Sequence, residues 1–191
     1  MGLSSFRERL LFDCQELVEN VERLKRIDLK LLTQRPQKNK WNVLEVINHL
    51  LLANEFYLEQ IIVLINKEKE DRSALEYQPG WLGQYFAQKI RPTTDHKVRF
   101  KGKTFKHLTP AVQDHWENRL AQNILQDYQE QVELIIRCLN RASVSLLKKQ
   151  KVKSTFSSWW GIEMGNAFDY MIGHNLRHFV QIQEILKQLT P

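Results

Sequence analysis

Apolar side chains recur at helical intervals over four stretches of the chain. In the first, Phe6, Leu10, Cys14, Leu17, Val21, Leu24 and Leu31 share one stripe, which predicts an amphipathic helix from about Ser4 or Ser5 to Leu32. Ser5 with Glu8 three residues on fits a capping box. The polar stretch QRPQKNK then breaks the pattern. A second helix is predicted to start near Asn42, a good cap with Glu45 three residues later, and to run to about Asn66. Its apolar residues (Val46, Ile47, Leu50, Leu51, Phe56, Ile61, Ile62, Ile65) wrap widely, so it is expected to be buried on more than one side.

From Lys67 to Leu108 no period holds. PGWLGQYF suits a short helix, and IRPTTDHKVRFKGKTFKHLTP suits a loop or short extended pieces. So long a crossover is either a lid or pocket wall, or a surface excursion with a little structure of its own. Thr109 and Pro110 mark the start of a third helix, expected to reach about Leu147 with a break near Arg119 to Asn123. KVKSTFSSWW is β-branched and aromatic and is expected to lie extended across the bundle. The fourth helix starts around Gly161 to Asn166 and ends at Leu189. The pattern predicts an all-α four-helix bundle, one domain over residues 1–191, with a long crossover between helices 2 and 3 and no fixed-period repeat.

Composition narrows this further. Seven glycines and five prolines in 191 residues leave little room for a turn-rich β architecture. Cys14 and Cys138 read as small apolar fillers at helical spacing, which points to a reduced, cytoplasmic setting. The first residues carry no secretion signal, and Phe6 stands where N-myristoylation needs Ser or Thr. No apolar run approaches the roughly 18–20 residues that span a bilayer. The net charge of +6 does not call for nucleic acid, because the basic residues are scattered. Their one cluster, Lys148, Lys149, Lys151 and Lys153, reads as a solvated loop after a helix.

The candidate chemistry lies in the last helix. His174 and His178 are one turn apart, so both imidazoles leave the same face, along with Tyr170, Met171 and Gln181. Burying two imidazoles on a largely apolar face is costly unless their nitrogens find partners. A divalent ion on one nitrogen and an acceptor on the other would satisfy each ring. His49, in the second helix, supplies a third ligand, and three imidazoles leave open positions on the metal. His96, His107 and His115 have no histidine or cysteine at ligand spacing and read as solvent-facing or structural. Neither a phosphate-binding glycine loop nor a G-x-S-x-G elbow is present. Trp159 and Trp160 read as aromatic core at a bundle end, with a pocket roof as the alternative.

The segment WNVLEVINHL, the long crossover and the ending KVKSTFSSWWGIEMGNAFDYMIGHNLRHFVQIQEIL resemble the DinB-like (DinB/YfiT) superfamily of metal-dependent enzymes over nearly the whole chain. The most specific parts are Trp41 to His49 and the group His174, Arg177, His178, Gln181 and Ile182. The resemblance implies a divalent metal held by His49, His174 and His178, with water completing its sphere. It further implies S-transfer or isomerisation with a low-molecular-weight thiol, or hydrolysis, and homodimers are common among relatives. Many relatives carry Glu where this chain has Asn175, which predicts one carboxylate fewer beside the site.

The expected function is therefore a transferase or hydrolase acting on a small molecule through metal-bound water or thiol. Zinc and nickel are equally compatible ions, since imidazole does not choose between them. Glu45 and Tyr170, one turn before His49 and His174, are candidate acid–base or supporting groups, and Arg177 is expected off the ligand face, paired with a carboxylate. The rival is a helical bundle that binds metal or a partner without catalysis.

Overall fold

A computed structural model describes residues 3–68, 77–93, 98, 106–110, 118–155 and 157–190; the side chains of 3–5, 82, 107, 118, 119 and 157–160 lie outside that description. Four long helices carry the architecture: α1 (Leu3–Leu24), α3 (Val43–Lys67), α5 (Asn118–Arg141) and α7 (Met164–Leu189). Around the bundle they pack in the order α1, α5, α3, α7, so each long helix has two long neighbours. Three shorter helices, α2 (Leu29–Thr33), α4 (Trp81–Ile90) and α6 (Val144–Lys149), and a hairpin of β1 (Lys151–Ser154) with β2 (Ser157–Glu163) complete the described elements.

The first predicted helix is two. The stripe from Phe6 to Leu24 is buried as expected, but the chain turns after Leu24. The Asp28 carboxylate accepts the Lys30 amide at 2.7 Å and caps α2, which buries Leu32 where the extrapolated stripe put Leu31. The expected capping box at Ser5 does not start α1, which already includes Leu3 and Ser4. In α3 the box is present. Asn42 Oδ1 accepts the Glu45 amide at 2.8 Å, and Glu45 Oε2 accepts the Asn42 amide at 2.9 Å. The third helix runs unbroken from Asn118 through the expected break and stops at Arg141; Ser143 then caps the separate α6. The stretch expected to be extended is a β-hairpin, with a register shift between Lys153 and Ser154. Lys148 and Lys149 close α6 and Lys151 and Lys153 face outward from β1, so the basic cluster is solvated as expected but is not a loop.

The predicted short helix in the crossover forms as α4 and lies against α7. Glycines permit the close approach, among them Gly83 of α4, on which a Cβ would sit 2.1 Å from the Asn166 side chain. A Cβ on Gly165 would sit 2.2 Å from the Tyr77 ring, and one on Gly173 would sit 2.7 Å from Cγ of Arg91. An ion network, buried at Asp169 and exposed at Arg9, fastens the contact. Arg9 donates to both oxygens of Asp169 at 3.1 and 3.0 Å, and Arg91 reaches Asp169 at 2.7 Å and Asp13 at 2.8 Å. Burial alone would raise the Asp169 carboxyl, but Arg9 and Arg91 outweigh it and hold the group below its ordinary value.

In the middle of the bundle Asn175 is fully buried. Its amide donates to Asn54 Oδ1 and the Met171 carbonyl, each at 2.7 Å, while its oxygen accepts from Tyr128 at 2.9 Å and Asn54 at 3.2 Å. One residue past His174 is about 100° around the helix, so this position faces the core. Asn175 thus belongs to a core network, and its side chain is not presented to the histidine face. Cys14 and Cys138 are buried free thiols; burial is the main cause that raises both, Cys14 to about 12, which fits fillers and not nucleophiles. No helix among the described residues is long and apolar enough to cross a membrane.

Candidate metal centre

The start of α3 is fixed twice, by the Asn42–Glu45 box and by Asn42 Nδ2 donating to the Thr33 carbonyl at 3.1 Å. Two turns later His49 faces α7, where His174 and His178 lie one above the other. The three rings meet edge to face, with centroids 4.5 to 5.1 Å apart. His174 Nε2 is 3.4 Å from His49 Nε2 and 3.1 Å from His178 Nε2. The three potential ligand atoms all lie within 4.8 Å of one another.

Two of the rings have their outer nitrogens tied. His49 Nδ1 donates to the Leu108 carbonyl at 2.7 Å, and His178 Nδ1 donates to Gln181 Oε1 at 2.9 Å. A carbonyl oxygen only accepts, so the proton sits on Nδ1 and the Nε2 lone pair points inward. Burial is the main cause that lowers all three pKa values. It draws His178 to about 3 with help from His49 and Arg177, and it outweighs the Leu108 bond at His49. His174 falls well below its ordinary value through burial and then through His178, His49 and Arg177. All three rings are thus neutral near pH 7, the form in which imidazole ligates a metal.

The fit to an ion follows from these distances. Metal–nitrogen bonds of about 2.0–2.1 Å at a tetrahedral angle separate two ligand nitrogens by roughly 3.3–3.4 Å. The His49–His174 and His178–His174 separations of 3.4 and 3.1 Å lie close to that spacing. His49, His174 and His178 can therefore hold a divalent ion, as their spacing predicted.

The other predicted residues divide. Tyr170 lies at the site, its ring stacked on that of His174 at 6.1 Å and 11°. Burial chiefly, and Tyr57 next, raise its pKa, partly opposed by a hydrogen bond with Thr155, so the phenol stays neutral. The Tyr57 hydroxyl meets Thr155 Oγ1 at 3.2 Å and accepts the Thr155 amide at 3.1 Å, which pins the turn of the hairpin beside this wall. Glu45 is engaged elsewhere: Oε2 accepts the Asn42 amide and Oε1 takes Arg35. The charge of Arg177 contributes to lowering both His174 and His178. His96, His115 and the side chains of His107, Trp159 and Trp160 lie outside the described residues.

Sequence reasoning gave no role to three supports. Gln181 was placed on the histidine face by its spacing, but not as the partner of His178. Trp41, its ring 5.2 Å from that of His49, could have been suspected from its place before the cap. The Leu108 carbonyl left no signal, since any residue supplies one. The last described turn of the crossover (Lys106–Leu108) reaches the site through it.

The model of the DinB superfamily matches residues 15–182. The chain belongs to the DinB superfamily. No curated protein and no solved structure gives a match. Within this DinB-like bundle the matched span contains α3, α5 and all three histidines of the candidate centre.

Proposed function

We propose that this DinB superfamily protein is a divalent-metal-dependent transferase or hydrolase, with His49, His174 and His178 as the ligands. The observation that carries the reading is the tethering of Nδ1 in His49 and His178, which aims two neutral Nε2 atoms at a third. A zinc or nickel ion there would supply Lewis acidity and draw the pKa of a coordinated water or thiol toward neutrality. The chain's own residues do the rest. Leu108 and Gln181 keep the rings aimed, and Trp41 covers one side of His49. Tyr170, a neutral phenol against His174, is suited to donate a hydrogen bond to the reacting molecule. Glu45 fixes the start of α3 and takes no part in proton transfer. The co-substrate is a low-molecular-weight thiol in a cytoplasmic setting, and the protein works as a homodimer.

Protein purified without a histidine tag should contain about one equivalent of metal by elemental analysis. It should turn over a mixture of small thiol and electrophile, and His178→Ala should abolish both properties while leaving the helical circular dichroism intact. Metal without turnover would leave a binding bundle in place of an enzyme. Unchanged metal content after removing all three histidines would refute the site.

A further inference from the structure

The triad is shared between two helices, so its geometry is only as good as the register of α3 against α7. One residue of slip along a helix axis is about 1.5 Å, whereas a metal site tolerates about 0.2 Å in each ligand bond. Apolar packing is non-directional and does not set position that finely. Hydrogen bonds do, and a buried set of them lies close to both ligand positions. Asn54 of α3 and Asn175 of α7 are wholly buried and exchange amide bonds. Asn175 Nδ2 donates to Asn54 Oδ1 at 2.7 Å, and Asn54 Nδ2 donates to Asn175 Oδ1 at 3.2 Å. Asn175 directly follows His174, and Asn54 is five residues past His49, about 7.5 Å along the axis. The third side is α5, where Tyr128, also wholly buried, donates its hydroxyl to Asn175 Oδ1 at 2.9 Å. Three residues on, Gln131 Nε2 donates at 3.2 Å to the carbonyl of Leu51, two residues past His49. Thus α5 supplies none of the three potential ligands yet bonds to both helices that do.

We propose that Asn54, Asn175 and Tyr128 are positioning residues for the metal centre, fixing α3 against α7 at the register that brings His49 Nε2 to His174 Nε2. The inference rests on the metal reading of the triad, and the three residues act through the ligands without touching the ion. Each asparagine both donates and accepts across the helix pair, so one alignment satisfies both side chains and a slip in either direction orphans buried polar groups. A buried polar set adds little stability over apolar packing of the same shape. What it adds is a single register, as a lone buried asparagine does in a coiled coil. Here the register is the one in which two ligand nitrogens from different helices stand 3.4 Å apart.

The test replaces the whole set at once, by Asn54→Leu, Tyr128→Phe and Asn175→Leu in one chain. Leucine keeps the branched shape of asparagine and no side chain of the set is left orphaned, so the triple variant should keep its helical circular dichroism and a cooperative melt. Its zinc affinity, measured by chelator competition, should nevertheless weaken at least about tenfold, the low end for loss of a ligand's support. The visible spectrum of the cobalt-loaded variant should also depart from that of wild type. A folded triple variant with wild-type zinc affinity and cobalt spectrum would make the set a packing feature alone and overturn the proposal. Should the triple variant not fold, Tyr128→Phe decides, since it removes a single hydroxyl. Zinc binding weakened about threefold in the folded protein supports the proposal, and unchanged binding overturns it. Absence of zinc and cobalt binding in wild type would instead sink the metal reading. Nuclear Overhauser contacts between the carbon-bound ring protons of His49 and His174 in metal-free protein then decide the register. Their loss in the folded variant supports the positioning role, and their survival overturns it.

Discussion

Helix α7 carries two polar clusters whose electrostatics are opposite in kind. Toward α1 and α4, Asp169 gathers Arg9 and Arg91, with Asp13 as the second acid, and two cations meet two anions. Toward α3, His174 and His178 gather His49, and ligand nitrogens face one another with no charge of their own. The first cluster balances its charges within the protein and ties the described end of α4 to the bundle. The second is left to be completed by something from outside. A charge held against its opposite is architecture, whereas a polar group aimed at a point shared with its equals is a receptor.

The contrast can be broken most forcefully at Asp169. Asp169→Ala should cost about 3 kcal/mol in urea unfolding, the low end for breaking a buried pair, because Asp13 still faces Arg91. A loss within 0.5 kcal/mol of zero, on the scale of an ordinary surface change, would mean that the network is not structural. The triad should respond to metal. Zinc or nickel at a thousandfold excess over its Kd should stabilise wild type by about 4 kcal/mol, and His178→Ala should show none of that gain in thermal melts. Gln181→Ala should weaken metal affinity by about 10–100-fold, measured by chelator competition, by releasing the His178 ring.

Acid separates the two clusters last and most gently. In metal-free protein His178 titrates near 3 when folded against 6.5 when free, so unfolded chains take the proton first. That contribution to stability is complete above pH 6.5 and is lost as pH falls toward about 3. Asp169 is lowered from 3.8, so its contribution holds above that value and disappears below it. Urea midpoints measured against pH should therefore slope from 6.5 downward and steepen below 3.8. His178→Gln should make the upper part shallower, since His49 and His174 still take up protons there, and leave the lower part alone.

The four long helices and the triad were legible because both depend on helical period. A stripe such as Phe6 to Leu24, or a pair such as His174 and His178, repeats every turn, and burial requires that repeat. Interruptions were harder. The turn after Leu24 depends on the short-range bond from Asp28 to Lys30, and the stop at Arg141 on the capping hydroxyl of Ser143. Neither bond alters the apolar spacing around it. The residue after His174 was misjudged for a related reason: adjacency in sequence suggested adjacency to the site, whereas a 100° step carries Asn175 into the core. In the ion network only Arg9 and Asp13, one turn apart on α1, share a helical spacing, and nothing in the sequence links them to Arg91 and Asp169.

The bond from His49 to the Leu108 carbonyl spans 59 residues, and the approach of His49 to His174 spans 125. A nascent or unfolded chain therefore offers an ion little more than the His174–His178 pair. Closing such long loops is entropically costly until the helices have docked. The metal should consequently arrive after folding is finished, leaving the refolding rate unchanged and lengthening the lifetime of the native state.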